Sequence, residues 1–379
     1  MTSKERHENR YLRRKAKREE KRKKYLKYNN YDWVFCYGHL YHSYKMSRRN
    51  VGWKSSTQAY TRKAPLKTYR TYCKLQTGYY RSRGFYEFNI IERGKLRHIR
   101  SVTIEERVVQ RCLCDYCLVP LLSRTFIYDN GASTKNKGYH FARQRIVRFL
   151  RRHVRKYGTK GYVLLYDFSQ FFDNIPHGLI KKIVRKSITD RRLLRQIDHF
   201  IDMFGDVGLG LGSQISQILA LASANYLDHY IKERLRVKGY ARYMDDGCLI
   251  HESKEFLQKC LKEIREICKK LGFKLSEHKT QIVKLAHGFT WLKTKFYIID
   301  NQKIVKKITR GSVVKMRNKL KAFRELITKG YMTPYDAYMS FQSWRAYARK
   351  FHAYRTIVSM EHLFYNTFRF SSYEIAQWR

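Results

Sequence analysis

Tyr243-Met244-Asp245-Asp246 sets two adjacent carboxylates between largely apolar runs, Tyr240-Ala241-Arg242 before it and Gly247-Cys248-Leu249-Ile250 after it. Two strand-like segments meeting at Asp-Asp predict a β-hairpin with both carboxylates at its tip. Adjacent like charges repel and raise each other's pKa, so the pattern asks for a cation. A second segment, Tyr162-Val163-Leu164-Leu165-Tyr166-Asp167, reads as a buried strand ending abruptly on a carboxylate, followed by Phe168-Ser169-Gln170-Phe171-Phe172. If the two segments converge, they provide for two divalent cations about 4 Å apart, an arrangement suited to in-line phosphoryl transfer. Ordinary turn aspartates are the alternative, but turns seldom lie inside runs this apolar.

Charge is the second constraint. Lys+Arg 80 against Asp+Glu 31 gives a net +49 over 379 residues, an excess that opposes compaction unless a polyanion neutralises it. With 43% hydrophobic residues the chain is nonetheless globular. Tyr 31 and Phe 21 interleave stacking surfaces with the cations, as single-stranded nucleic-acid channels require. A membrane surface would need an apolar span or an amphipathic basic helix, and no uninterrupted apolar stretch of about 18 residues exists. Nucleic acid is the expected partner. Residues 1–24 are polar and charged with no secretory h-region, and the eight cysteines have no repeating spacing, so a cytoplasmic protein with reduced thiols is expected. Cys112, Cys114 and Cys117 are either a zinc cluster or buried thiols. The absence of a second Cys or His pair at finger-like spacing favours thiols.

Residues 1–30 are the densest basic stretch, for RNA backbone contact or for solubility. Residues 31–84 are aromatic and basic with weak periodicity. Residues 85–100 read as a hairpin around Arg93-Gly94, followed by a helix from Ile104 with Thr103 as N-cap. A helix over 139–155 precedes the first carboxylate strand, and 180–204 reads as helical. The Gly-rich segment 208–212 leads into a long helix with Ile215, Leu219, Ala222, Tyr226 and Tyr230 on one apolar face. It lacks the Gly-Lys-Ser/Thr of a phosphate-binding P-loop. After the hairpin come a helix over 254–271, a strand near 273–275 and a basic helical tail from about 306. No linker or internal repeat separates these parts.

In this order the chain resembles the prokaryotic reverse transcriptases over roughly residues 90–300. Gly94-Lys95-Leu96-Arg97-His98-Ile99 with Glu106-Arg107-Val108-Val109-Gln110 is similar to the family's fingers segment. Lys137-Gly138-Tyr139-His140-Phe141-Ala142 resembles the next block, and residues 166–177 resemble the first palm motif. Leu211-Gly212-Ser213-Gln214-Ile215-Ser216-Gln217 resembles the second, Tyr243-Met244-Asp245-Asp246 the third, and Leu275-Ser276-Glu277-His278-Lys279-Thr280 the fourth. The Ser-Gln ending of the second motif looks like enzymes of diversity-generating retroelements and of some antiphage-defence systems, where group II intron enzymes have Ser-Pro. Trp291-Leu292-Lys293 stands where the family usually has Phe-Leu-Gly.

The resemblance implies an α+β right-hand polymerase: a basic N-terminal extension (1–84), fingers and a palm with an antiparallel sheet (85–300), and a helical thumb (301–379). It implies an RNA-directed DNA polymerase using dNTPs, an RNA template, a cDNA primer and two Mg²⁺ ions, with Mn²⁺ as a substitute. Asp167, Asp245 and Asp246 would carry catalysis and, with the Phe168 carbonyl, hold the metals. Lys95 and Arg97 would neutralise the incoming triphosphate, and Leu211 and Gln217 would line the nucleotide site. Phe172 is a steric gate against a 2′-OH or a core aromatic. Lys279 is a general acid or a surface lysine, and Asp173 and His177 are structural. Rival expectations are a defence enzyme bound to its own structured non-coding RNA, with an accessory protein or homo-oligomer, and a non-catalytic RNA-binding scaffold.

Overall fold

The first carboxylate strand and the Asp-Asp hairpin are neighbours in one sheet. The computed structural model describes residues 2–92, 94–299 and 302–369, in which helices and three antiparallel sheets are mixed. The chain begins with α1 (Ser3–Leu26), whose described side chains from Ser3 to Lys24 are all exposed. Four shorter helices follow: α2 (Tyr31–Val34), α3 (Tyr37–Ser47), α4 (Ser55–Thr61) and α5 (Ala64–Gln76). A hairpin of β1 (Tyr86–Glu92) and β2 (Lys95–Ser101) comes next, its connection made by two residues. Of these Gly94 has φ +78°, and Arg93 lies outside the described residues.

Helices α6 (Ile104–Leu113), α7 (Val119–Leu122) and α8 (Tyr139–Tyr157) lead to β3 (Tyr162–Asp167). The Thr103 hydroxyl caps α6 by accepting from the Glu106 N–H, as its position predicts. After α9 (His177–Ser187), α10 (Arg191–Asp202), α11 (Gln214–Ser223) and α12 (Asn225–His229) come β4 (Gly239–Tyr243) and β5 (Asp246–His251). Then α13 (Lys254–Leu271) and β6 (Gln281–Lys284) close a four-stranded sheet in the order β4-β5-β3-β6. Strands β7 (Phe289–Trp291), β8 (Thr294–Ile298) and β9 (Ile304–Ile308) form a separate sheet before α14 (Arg310–Thr328), α15 (Pro334–Ala348) and α16 (Tyr354–Phe368).

The central sheet is covered on both faces, which is why its strands read as unbroken apolar runs. Leu164, Tyr166, Tyr240 and Leu249 enter the larger core, while Val163, Leu165, Ala241, Cys248 and Ile250 alternate with them into a second core beneath α8. The larger core runs on into the N-terminal helices through Tyr31, Val34, Phe35, Leu40, Tyr44 and Leu75. The C-terminal helices bury Met316, Leu320, Tyr338, Phe341, Met360 and Phe364 in a cluster of their own.

Four sequence expectations are corrected. The stretch 180–204 is two helices, because Asp190 caps α10 by accepting from the N–H groups of Arg192 and Leu193 while its other oxygen takes the Tyr31 N–H. The long helix after the Gly-rich segment breaks at Ala224. Tyr226, expected on its apolar face, is 58% exposed, and Tyr230 turns its hydroxyl to Glu263. The strand near 273–275 is reduced to one bridge between Phe168 and Leu275, and the fourth strand is β6. The tail starts as a strand, β9, before it becomes helical. Cys112, Cys114 and Cys117 are buried thiols, burial raising the pKa of each, and the Cys112 thiol donates to the Val34 carbonyl. Among the described residues no cluster of three or more His, Cys, Asp or Glu side chains is set to hold a metal ion.

The β7–β8 connection explains the family's glycine. Leu292 and Lys293 form a two-residue turn with φ of +47° and +56°, left-handed backbone that suits glycine in a tight hairpin. Lys293 is exposed and contributes no packing there. Lys293→Gly is therefore expected to stabilise the chain by about 1 kcal/mol, the left-handed strain relieved exceeding the extra unfolded-state entropy. Urea unfolding measures this, and a lower midpoint for the variant would contradict the strain argument.

Candidate active site

The register of the central sheet places the carboxylates together. Asp167 ends β3 directly opposite Asp246, the first residue of β5, and Asp245 occupies the turn between β4 and β5. Directly opposed residues on antiparallel strands share a face, with Cβ atoms about 4.5–5.5 Å apart, and like charges there are destabilising. The Phe168 N–H donates to the Asp245 carbonyl at 3.3 Å, joining the end of the first strand to the turn. Burial, reinforced by Asp245 and Asp167, pushes the Asp246 carboxyl up to about 7. Burial and then Asp167 raise Asp245 as well. One cation is already present: the Lys279 ammonium lies 2.7 Å from Asp167 Oδ2. Burial alone would lower the Lys279 pKa, but the hydrogen bond and charge of Asp167 outweigh it and the net shift is upward. Carboxylate oxygens are hard donors of the kind that Mg²⁺ or Mn²⁺ takes rather than a thiolate-seeking metal, although the three are not already set round one ion here.

The turn itself is strained and braced. Met244 adopts φ +55°, unfavourable for a long side chain. Its carbonyl accepts a 2.7 Å hydrogen bond from Arg242 Nη1. Arg242 is fully buried and forms a two-pronged pair with fully buried Asp228, Nε to Oδ1 at 2.8 Å and Nη2 to Oδ2 at 2.7 Å. Nη2 also donates to the Leu221 carbonyl at the end of α11. The Tyr240 hydroxyl donates to Asp228 at 2.6 Å and meets the Tyr166 hydroxyl at 2.7 Å. On the other side, Tyr243 packs against Tyr139 of α8 with ring centroids 4.3 Å apart.

The remaining candidates fall on surrounding elements. Phe168 is buried, stacking on Phe171 at 4.8 Å. Phe172 is half-buried and edge-on to Phe171, and its carbonyl takes the Leu209 N–H. The Leu211 carbonyl accepts from the Arg100 N–H, docking β2 on the Gly-rich segment. His177 lies 2.7 Å through Nε2 from the Gly208 carbonyl, closing that segment. Gly208 has φ +86°, and a Cβ there would meet the Asp173 carbonyl at 2.6 Å. Gln217 is exposed on α11, 3.4 Å from the Ser133 hydroxyl. Arg97 is half-buried on β2 opposite Ile90, while the side chain of Lys95 lies outside the described residues. The structure thus brings together Asp167, Phe168, Asp245, Asp246 and Lys279. Leu211 and Gln217 make their hydrogen bonds elsewhere.

The sequence profile of reverse transcriptase (RNA-dependent DNA polymerase) matches residues 88–307, more than half of the chain. The chain belongs to this family. The curated protein YkfC of Escherichia coli (strain K12) is 25% identical over 248 residues, 52% of this reverse transcriptase-family chain, which spans 62% of the length of YkfC. Among solved structures, telomerase from Candida albicans in complex with a TWJ fragment of telomeric RNA superposes with a TM-score of 0.47 at 11% identity, over 78% of this chain and 56% of that one. Apo telomerase from Candida tropicalis superposes with a TM-score of 0.47 at 13% identity, over 78% and 61%.

Within this reverse transcriptase-family site, the sequence reading passed over Arg242, Asp228, Tyr240 and Tyr166 as a unit. The available signal was an arginine inside a strand otherwise buried, because a buried guanidinium must have a partner. Magnitudes separate this pair from the surface ones. Asp228→Asn leaves the Arg242 charge buried without its counter-charge and is expected to cost about 3–5 kcal/mol. Glu277→Gln, at an ion pair with Arg265 whose side chains are 49% and 77% exposed, is expected to cost under about 1 kcal/mol. Equal losses in urea unfolding would show that burial does not set the value of the Arg242 pair.

Proposed function

We propose that the chain is an RNA-directed DNA polymerase that extends a primer with deoxynucleotides on an RNA template. The observation that carries this reading is the pairing of Asp167 with Asp246 across adjacent strands, with Asp245 on the intervening turn. In the proposed layout residues 1–84 are an N-terminal extension, 85–300 the fingers and palm, and 301–379 the thumb. Asp167, Asp245, Asp246 and the Phe168 carbonyl would hold two Mg²⁺ ions, which when bound supply acidity to the primer 3′-OH and neutralise charge on the transferring phosphoryl group. The chain's own residues do the rest. Lys279, held protonated by Asp167, has a proton for the leaving pyrophosphate. Lys95 and Arg97 balance the triphosphate charge. Phe172 excludes a 2′-OH by bulk, which selects deoxynucleotides.

Asp167→Ala and Asp245→Ala are each expected to reduce primer extension to background while the melting temperature stays within a few degrees of the parent, since these carboxylates repel one another in the fold. Parental extension rates in either variant would remove the aspartates from catalysis. A folded, RNA-binding but inactive parent chain would favour a scaffold instead.

The Ser216-Gln217 ending of the second motif supports a diversity-generating-retroelement-like subtype. Leu211 accords with it, because an apolar side chain can fix the nascent base pair only by packing. Packing discriminates by about 1–3 kcal/mol, less than a well-made polar contact. Error-prone synthesis is expected, with errors concentrated opposite template adenine. Deep sequencing of cDNA made from a defined RNA measures it. Uniformly low error rates would point to the antiphage-defence subtype.

A further inference from the structure

Helix α1 carries an unbroken row of cations along one face. At 3.6 residues per turn, Arg6, Arg10, Arg13, Lys17 and Lys24 fall within an arc of about 60°. Arg14 and Arg18 flank that row. Three of the acidic residues, Glu5, Glu8 and Glu19, lie well away from it, with Leu12, Ala16 and Lys23 among them, while Glu20 borders the row beside Arg13. This distribution is inefficient for the helix itself, because like charges spaced i,i+4 along one face repel by about 0.2–0.5 kcal/mol per pair. The helix is supported in other ways. A capping box joins Thr2 and Glu5, and Lys23 and Lys24 sit in its last turn, where they oppose the dipole. No described side chain from Ser3 to Lys24 is covered by the rest of the protein.

A straight cationic row about 27 Å long from Arg6 to Lys24 complements a stiff polyanion. Single strands are held chiefly by stacking, yet between Ser3 and Lys24 the only Phe, Tyr or Trp is Tyr11. An anionic membrane needs an apolar face opposite the basic one, and here that face carries Lys4, Glu8, Lys15 and Glu19. Double-helical RNA instead offers fixed phosphates to a face that reads no bases. We propose that the Arg6–Lys24 face of α1 is a docking surface for the phosphate backbone of double-helical RNA. This goes beyond the polymerase reading and relies on it only for the choice of RNA over DNA.

Two charge-matched variants of the full chain test it. Arg10→Gln/Arg13→Gln/Lys17→Gln removes three charges from the row, and Lys4→Gln/Leu12→Glu/Lys15→Gln lowers the charge of the opposite face by the same three units. Each lowers the net charge from +49 to +46. The probes are a blunt RNA hairpin, poly-uridine of equal length, and phosphatidylserine vesicles, titrated at several salt concentrations. The row variant is expected to bind the hairpin at least tenfold more weakly and to flatten the slope of log K against log salt by about 2–3. The opposite-face variant is expected to change hairpin affinity less than threefold, and poly-uridine and vesicle binding to change less than threefold in both. Equal weakening by the two variants would reduce the effect to net charge and overturn the proposal. An unchanged hairpin affinity in the row variant, or an equal or larger loss on poly-uridine or vesicles, would overturn it too. Because the readout is binding, it stands or falls apart from dNTP incorporation.

Discussion

A guanidinium with no access to water must find all its partners inside the protein, and Arg242 finds them at three separate places in the chain. It binds the Asp228 carboxylate on α12, the last turn of α11, and the carbonyl of the strained turn, while its own strand lies in the central sheet. Its backbone is bound from a further side, where the Arg242 N–H donates to the Asp129 carbonyl and its own carbonyl accepts from the Gly131 N–H. The position of Asp245 is thus a by-product of a charge pair buried behind it. Desolvating an ion pair is costly, and apolar replacements often match or exceed its stability. What the pair provides here is geometry: it holds a left-handed residue in place so that the next side chain stands opposite the end of β3.

Repulsion in front of the turn and attraction behind it are therefore linked. Asp245 and Asp246 are crowded by burial and by one another, a cost the fold sustains through the packing and pairing that immobilise the hairpin. Lys279, carried by the loop before β6, offsets part of that cost through Asp167. Ser276, on the same loop, donates its N–H to the Asp167 carbonyl, so charge and backbone act together on one residue.

The carboxylate site was legible because its signals are local. An apolar run that stops on an acid, and two acids between apolar runs, need no knowledge of the rest of the chain. What escaped was non-local. Asp190 ends one helix and starts the next partly because it also binds Tyr31, some 160 residues away. Strand β6 has no fully buried residue, so its four positions carry no readable alternation. The segment 31–84 looked aperiodic because it buries hydroxyls as well as apolar groups, with Ser43, Thr68 and Thr71 all inaccessible. Arg242 looked like an ordinary strand charge, and nothing nearby in sequence names Asp228 as its partner.

The separate burial of the C-terminal helices divides the molecule by cooperativity. The core that begins at Tyr31 and ends at Phe273 ties the N-terminal helices to the central sheet, so these parts gain and lose structure as one. The three helices from Arg310 to Phe368 rest on six fully packed residues of their own and join the remainder through contacts such as His352 with Lys306 and Arg143 against Tyr347 and Phe351. Their opening free energy is set by that small cluster, well below that of the main body. In hydrogen exchange the chain has two clocks, a fast one for the C-terminal helices and a slow one that the first helices after α1 share with the aspartates.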